Sequence, residues 1–309
     1  VTKVVVSEFL PDPHLDHLRQ SFDVVYDPDL YADRDRLLAE LAGTVAILIR
    51  NRTLIDPGLL VAAPDLRVVG RLGVGLDNID TEACLRAGVT VIPAVGANAV
   101  SVAEYVIGAM LVLVRRVYEM TPSMVAGEWP RQGHAFGHEL LGKRLGLIGL
   151  GSIARQVAVR AAAFGMGIIA YDPLLPEDDR AWDTVDKVDL ETLLTTSDVV
   201  SLHVPLGDQT RHLIDAGALA LMKPTTVLIN TSRGGIVDET ALAAVLRDGA
   251  LAGAALDVFA TEPLGPGPAA IFAGVPNLVL TPHLAGNTEE SVERVASTIV
   301  AAVIEAVER

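Results

Sequence analysis

Cysteine is nearly missing: Cys84 stands alone in 309 residues. That excludes an intramolecular disulfide framework and suits a reducing, cytoplasmic compartment. Basic residues are also scarce, 24 against 39 acidic ones, for a formal net charge of −15. Nucleic acids and anionic membranes both call for a basic surface, so neither is an expected partner. A small anionic substrate stays open, because it responds only to local charge. Long apolar runs are lacking too. The most apolar helical stretch, "YVIGAMLVLV", is about half the length a membrane span needs. The amino-terminal "VTKVVVSEFL" turns acidic too soon to read as a signal peptide. What is present is length and apolar content for two domains, with half the residues hydrophobic.

Short valine-rich runs alternate with helical patterns. "KVVVSEF", "DVVYD", "VAILIR", "RVVGRLG" and "VTVIP" read as strands bounded by Pro, Asp or Gly. A second series begins near Gly142 with "RLGLIG", "GIIAYD", "VVSLHVP", "TTVLIN", "LAGAALDVF" and "LVLTPH". Such alternation predicts an α/β protein of two doubly wound, parallel-sheet domains. Between the series lies the helical pattern "NAVSVAEYVIGAMLVLVRRVYEM". Asn98 or Ser101 can cap it, and Glu104 would complete a capping box with Ser101. An irregular arm follows, from about Thr121 to Leu140, with Trp129 and Phe136 on it. A second subunit is the expected cover for those apolar groups. The expected division is 1–97 plus 287–309 for the first domain and 98–286 for the second.

The run "RLGLIGLGSIARQVAVRAAAFGMGIIAYD" places a Gly-x-Gly-x-x-Ala turn between strand and helix. Gly149 permits the turn, Gly151 lets the backbone approach a pyrophosphate, and Ala154 allows close helix–strand packing. The free amides at the helix start, from Ser152 onward, favour phosphate. Asp172 follows about twenty residues later, at the end of the next strand, where its carboxylate suits the ribose hydroxyls of NAD. The motif alone is weak; its βαβ setting strengthens it.

Three polar residues then end three strands of the second series. Arg233 follows "TTVLIN", Glu262 follows "LAGAALDVF", and His283 follows "LVLTP". Histidine exchanges protons near neutrality, a neighbouring carboxylate favours its charged form, and arginine grips a carboxylate with two bonds. Each has a bland alternative, Glu262 before Pro263 most of all. Their convergence with a nicotinamide predicts oxidation of a 2-hydroxy acid: Arg233 anchors the acid and His283 takes the hydroxyl proton.

The chain resembles the D-isomer-specific 2-hydroxyacid dehydrogenases, phosphoglycerate dehydrogenase-like members included, almost from end to end. The resemblance rests on "GRLGVGLDNID" (70–80), "NAVSVAEY" (98–105), "GKRLGLIGLGSIA" (142–154), "HVPL" (203–206), "NTSRGGIVDE" (230–239), "LDVFATEP" (256–263) and "TPHLAGNT" (281–288). It implies a Rossmann NAD-binding domain and a flavodoxin-like substrate domain. It also implies cofactor contacts at Ile153, Asp172, His203, Pro205, Thr210, Thr231, Arg233, Asp257, His283 and Gly286. Substrate contacts are implied at Val74 and Gly75, with Asn98 beside them. The family further implies a homodimer built by the long helix and arm. One alternative stays open, a dinucleotide-sensing regulatory protein of the same fold, although no interaction extension is visible. A serine hydrolase is disfavoured, since no Gly-x-Ser-x-Gly elbow exists.

Arg50 in "LIRNRT" and Arg71 in "VGRLGVG" end strands of the first domain. Phosphoglycerate dehydrogenases resemble this chain in both, and a substrate with a second anion, such as 3-phosphoglycerate or sulfolactate, would use them; the alternative is a pair of surface or interdomain charges. "HAFGHE" (134–139) sets two histidines four apart, but with Gly137 between them and no third ligand, no metal is expected.

Overall fold

The computed structural model describes residues 2–131 and 137–309. The chain forms two compact units, Val1–Asn98 with Asn287–Arg309, and Ala99–Gly286.

In the first unit β1 (Lys3–Val6), β2 (Asp23–Tyr26), β3 (Thr44–Ile49), β4 (Val68–Arg71) and β5 (Thr90–Pro93) form a parallel sheet ordered β2-β1-β3-β4-β5. Aspartates start three of its helices by accepting a backbone N–H: Asp33 from Arg36, Asp56 from Leu59 and Asp80 from Ala83. The chain's last helix, Glu289–Glu308, starts with a capping box between Thr288 and Ser291. Its apolar stripe, including Ile299 and Val303, lies directly on β4. A Cβ at Gly70 would sit 2.7 Å from Val303 Cγ2 and 2.9 Å from Ile299 Cγ2, so that approach requires glycine. Strand order reverses beside β1, between β1 and β3. In parallel sheets that is where ligands gather, at the carboxyl ends.

The second unit holds β6 (Arg144–Ile148), β7 (Gly167–Tyr171), β8 (Asp186–Lys187), β9 (Val199–Leu202), β10 (Val227–Asn230), β11 (Gly253–Leu256) and β12 (Leu278–Leu280). All pair in parallel, in the order β12-β11-β10-β9-β6-β7-β8. The order reverses between β9 and β6, beside the glycine turn. β8 was not expected from the sequence; two exposed charged residues carry no apolar signal, and such short charged strands blunt a sheet edge.

The helix Ala99–Arg115 packs on this unit's core through Ala103, Val106, Met110 and Leu113. It begins two residues before Ser101, so Ser101 lies inside the first turn and is not the cap; Glu104 pairs with Arg160 at 3.3 Å. The arm is partly regular, with a 3₁₀ turn at Tyr118–Met120 and a helix at Thr121–Val125. Phe136 lies outside the described residues. Among the described residues no helix is long and apolar enough to cross a membrane.

Candidate active site

The turn after β6 is shaped for a dinucleotide. Gly149 has φ +88° and a Cβ there would sit 2.7 Å from the His203 carbonyl oxygen, so only glycine fits. A Cβ on Gly151 would meet open space. The helix Ser152–Ala163 starts at Gly151 with no side-chain cap, leaving its first amides to an anion. Asp172 lies across the same turn: Oδ2 accepts from Leu150 N at 2.9 Å, and Oδ1 accepts from Leu174 N and Leu175 N. A carboxylate offers about four acceptor sites, so capacity for a ribose hydroxyl is left.

Further along the same sheet, His203 follows β9 and bonds through Nε2 to Ser201 Oγ at 2.9 Å; burial pushes its pKa down to about 3. Its ring is neutral across the physiological range. Thr210 staples its own loop, bonding to Pro205 O at 2.6 Å. The Thr231 hydroxyl is buried and has no hydrogen-bond partner among the described residues. An orphaned hydroxyl, an uncapped helix start and spare acceptor capacity on Asp172, all at strand ends of one sheet, fit a bound NAD.

The three strand-end residues come from neighbouring strands β10, β11 and β12. After β10, Asn230 ties the turn: Nδ2 donates to Arg233 O at 2.9 Å, and Oδ1 accepts from Ser232. Gly234 is pressed so closely on the Phe259 carbonyl that no side chain fits. Glu262 accepts from Phe259 N with Oε1, and its Oε2 meets His283 Nδ1 at 2.7 Å. The Glu262 bond raises the His283 pKa against the opposing effect of burial, with the charges of Glu262 and Asp257 adding to the rise and Arg233 opposing it. Burial alone would raise Glu262; the His283 bond, the Phe259 amide and the His283 and Arg233 charges hold it below the ordinary value. The His283 side chain remains 46% exposed, so the ring is gripped on one edge and accessible on the other.

His283 has a positive φ of 55°, a region costing about 1–3 kcal/mol outside glycine. Asp257 compensates. Its backbone oxygen accepts from His283 N, and its buried carboxylate accepts from Leu284 N and Ala285 N, each at 2.8 Å. Thr281 Oγ1 donates to the same carboxylate at 2.6 Å, and the Tyr105 hydroxyl backs Thr281 at 2.6 Å. Gly286 closes this segment at the unit's last residue. Sequence reasoning assigned Asp257 no anchoring role and missed Tyr105. A buried aspartate after an apolar strand is the one signal that pointed there.

In the first unit, Glu8 follows β1 and is 4% exposed. Its Oε1 accepts from Arg50 N at 2.8 Å and Thr53 N at 2.9 Å, and Oε2 accepts from Arg52 N at 3.2 Å. Asn78 ties the same loop through Arg50 O and Thr53 O. The half-buried Arg50 guanidinium has no hydrogen-bond or ion-pair partner among the described residues, and burial pushes its pKa below the usual value, against the Glu8 charge. It lies 6.0 Å from the Phe9 ring.

Arg71 sits on the adjacent strand but is spent differently. It is 9% exposed, its Nε donates to Gly75 O at 2.9 Å, and its guanidinium fills the space beside Gly73. The amides of Val74 and Gly75 in that loop donate to no backbone acceptor among the described residues. The Asn98 side-chain oxygen is buried and without a partner among the described residues. His134 lies outside the described residues; among those described, no group of three or more His, Cys, Asp or Glu is placed to hold a metal.

An uncapped glycine turn, with a His–Glu pair and an arginine on neighbouring strand ends, is the arrangement expected of a nicotinamide-dependent oxidoreductase. A family model described as D-isomer specific 2-hydroxyacid dehydrogenase, NAD binding domain, matches residues 107–285. The (S)-sulfolactate dehydrogenase of Chromohalobacter salexigens is 53% identical over 297 residues, covering 96% of this chain and 95% of that one. The hydroxypyruvate reductase of Thermotoga maritima is 40% identical over 270 residues, 87% of either chain. The D-3-phosphoglycerate dehydrogenase of Methanocaldococcus jannaschii is 39% identical along all of this chain, which spans 58% of its length. The solved structure of D-lactate dehydrogenase from Aquifex aeolicus, with NAD and lactic acid, matches with a TM-score of 0.86 at 29% identity, covering 99% and 96% of the two chains. This chain belongs to the D-isomer specific 2-hydroxyacid dehydrogenase family. It is an NAD-dependent enzyme that interconverts a 2-hydroxy acid and its 2-oxo acid.

Proposed function

We propose that the substrate carries a second anion and is a sulfolactate, oxidised to sulfopyruvate. The observation that carries this is Arg50: a half-buried cation, on a loop built around Glu8, with no hydrogen-bond or ion-pair partner among the described residues. A desolvated, unpaired charge is costly, and an anionic ligand is the natural compensation. The similarity to a sulfolactate dehydrogenase points the same way. The label (S) agrees with a D-specific family. In sulfolactate the sulfonated methylene outranks the carboxyl group, whereas in D-lactate the carboxyl outranks the methyl. The same hand is therefore called (S) in one and D in the other.

In this reading Arg233 holds the substrate carboxylate and the oxygen on C2, while His283 takes the hydroxyl proton on its free nitrogen. Glu262 fixes the ring and stabilises its charged form. Bound NAD supplies the hydride acceptor. Gly149, Gly151, Ser152 and Ile153 receive its pyrophosphate, Asp172 its ribose, and His203, Pro205, Thr210, Thr231, Asp257 and Gly286 line its path. The first unit serves as the substrate domain. Val74 and Gly75 offer amides to the carboxylate, Asn98 a polar edge, and Arg71 holds that loop in shape.

We further propose a homodimer in the cytoplasm. Val125, Trp129 and Leu141 are exposed around the arm, an apolar set that a second copy would cover, and the single cysteine is buried and unpaired.

The test is NADH formation, followed by absorbance, from NAD with (S)-sulfolactate, 3-phosphoglycerate, D-glycerate and D-lactate. Sulfolactate should give the highest kcat/KM. D-lactate matching it would remove the second anion from the account.

A further inference from the structure

The conspicuous carboxylate that the proposed mechanism does not use is Glu239, in the "GGIVDE" part of the Arg233 motif. It is the first residue of the helix Glu239–Arg247, whose cap is Asp238. An acid in a first helical turn has an ordinary explanation, favourable interaction with the helix dipole. Its hydrogen bond is not ordinary. Oε1 accepts from Ala260 N at 2.6 Å, 21 residues further on, in the turn that delivers Glu262.

That turn is gripped by two carboxylates. Glu262 takes the Phe259 amide with one oxygen and His283 Nδ1 with the other. Glu239 takes the next amide, Ala260. From the opposite direction, Gly234 presses on the Phe259 carbonyl and Ala260 N so closely that no Cβ fits between them. The Phe259–Ala260 peptide is thus the common abutment of the Arg233 turn and the Glu262 turn. If that peptide shifts, Glu262 meets His283 at a different distance and angle. The bond is also made at a cost. Burial raises the Glu239 pKa, the neighbouring charges of Asp238 and Glu262 raise it further, and the Ala260 amide and His212 oppose the rise.

We propose that Glu239 is a positioning residue: by accepting the Ala260 amide it sets the Phe259–Glu262 turn and so the geometry of the Glu262–His283 pair. The inference rests on Glu262 and His283 being the acid–base pair. Neither substrate nor cofactor needs to touch Glu239.

Two conservative variants separate geometry from charge. Glu239→Asp keeps the charge, the helix-dipole interaction and Asp238, but its shorter side chain cannot reach Ala260. Glu239→Gln keeps the reach and an acceptor oxygen but loses the charge. Asp238, Glu262 and His212 remain in both. The primary readout is the imidazole pKa of His283 by NMR on the enzyme without cofactor, its signal assigned by its loss in His283→Gln. The second is kcat for sulfopyruvate reduction by NADH.

Glu239→Asp should lower the His283 pKa by about one unit as its bond to Glu262 loosens. It should also cost roughly tenfold in kcat while the KM for NADH holds. Glu239→Gln should stay near wild type in both. A wild-type His283 pKa in Glu239→Asp would overturn the proposal, as would a larger change in Glu239→Gln, which would make the charge the active feature. If His283→Gln instead keeps its activity, the acid–base reading fails, and the NMR titration still reports on the turn by itself.

Discussion

The loop after β3 and the loop after β12 both wrap around a buried carboxylate. Glu8 accepts the amides of Arg50, Arg52 and Thr53; Asp257 accepts those of Leu284 and Ala285 with the Thr281 hydroxyl. What the two loops present is different. The second carries His283, already paired with Glu262 and shifted in pKa by it. The first carries Arg50, whose guanidinium has no hydrogen-bond or ion-pair partner among the described residues, with only the nearby Glu8 charge and the Phe9 ring acting on it. An internally paired group has its chemistry set before a ligand arrives. An unpaired one has affinity to give. In the proposed reading one backbone device serves two ends, reaction in the second unit and substrate choice in the first.

The largest effect should come from the second unit. His283→Ala should lower kcat by roughly a hundred- to ten-thousandfold, the usual worth of a positioned proton-transfer group. NADH binding, measured by fluorescence titration, should change little. A variant that keeps most of its rate would remove the loop after β12 from the chemistry.

Asp172→Ser should narrow the preference for NAD over NADP, by roughly tenfold, because the carboxylate that opposes a 2′-phosphate is gone. The loss should appear as weaker NAD binding, with the ranking of substrates untouched. Wild-type enzyme using both cofactors equally would place Asp172 away from the ribose.

Glu262→Gln should give the smallest change at neutral pH and the clearest in a profile. In the wild type the raised His283 pKa keeps the ring protonated to higher pH, and in the proposed mechanism reduction of the 2-oxo acid consumes that proton. Reduction therefore declines as pH rises through that pKa. With the amide, the decline should move down by about one unit, and oxidation of the hydroxy acid should begin at correspondingly lower pH. An unmoved profile would make the Glu262 bond irrelevant to the titration.

Much of the second unit was legible in the sequence because its signals are local. An apolar strand followed by Arg-Gly-Gly, or by Thr-Pro-His, marks a carboxyl end without reference to anything distant. Asp172 and the glycines were legible for the same reason. What escaped notice depends on partners far away in the chain. Nothing near Glu8 announces three amides some forty residues on, and Tyr105 lies in an apolar helix pattern that masks its bond to Thr281. Arg50 and Arg71 look alike as strand-ending arginines. Only the structure separates them, one unpaired and the other engaged with the Gly75 carbonyl. Side-chain-to-backbone bonds across distant loops leave no period and no spacing to read.

The most direct measurement is kcat/KM of Arg50→Ala on two substrates reduced by NADH, sulfopyruvate and pyruvate. A charge-assisted hydrogen bond is worth about 1.5–3 kcal/mol, so sulfopyruvate should lose roughly ten- to a hundredfold. Pyruvate, without the second anion, should lose no more than about twofold. Equal losses on both would contradict the assignment of Arg50 to the sulfonate and leave a singly charged acid as the substrate.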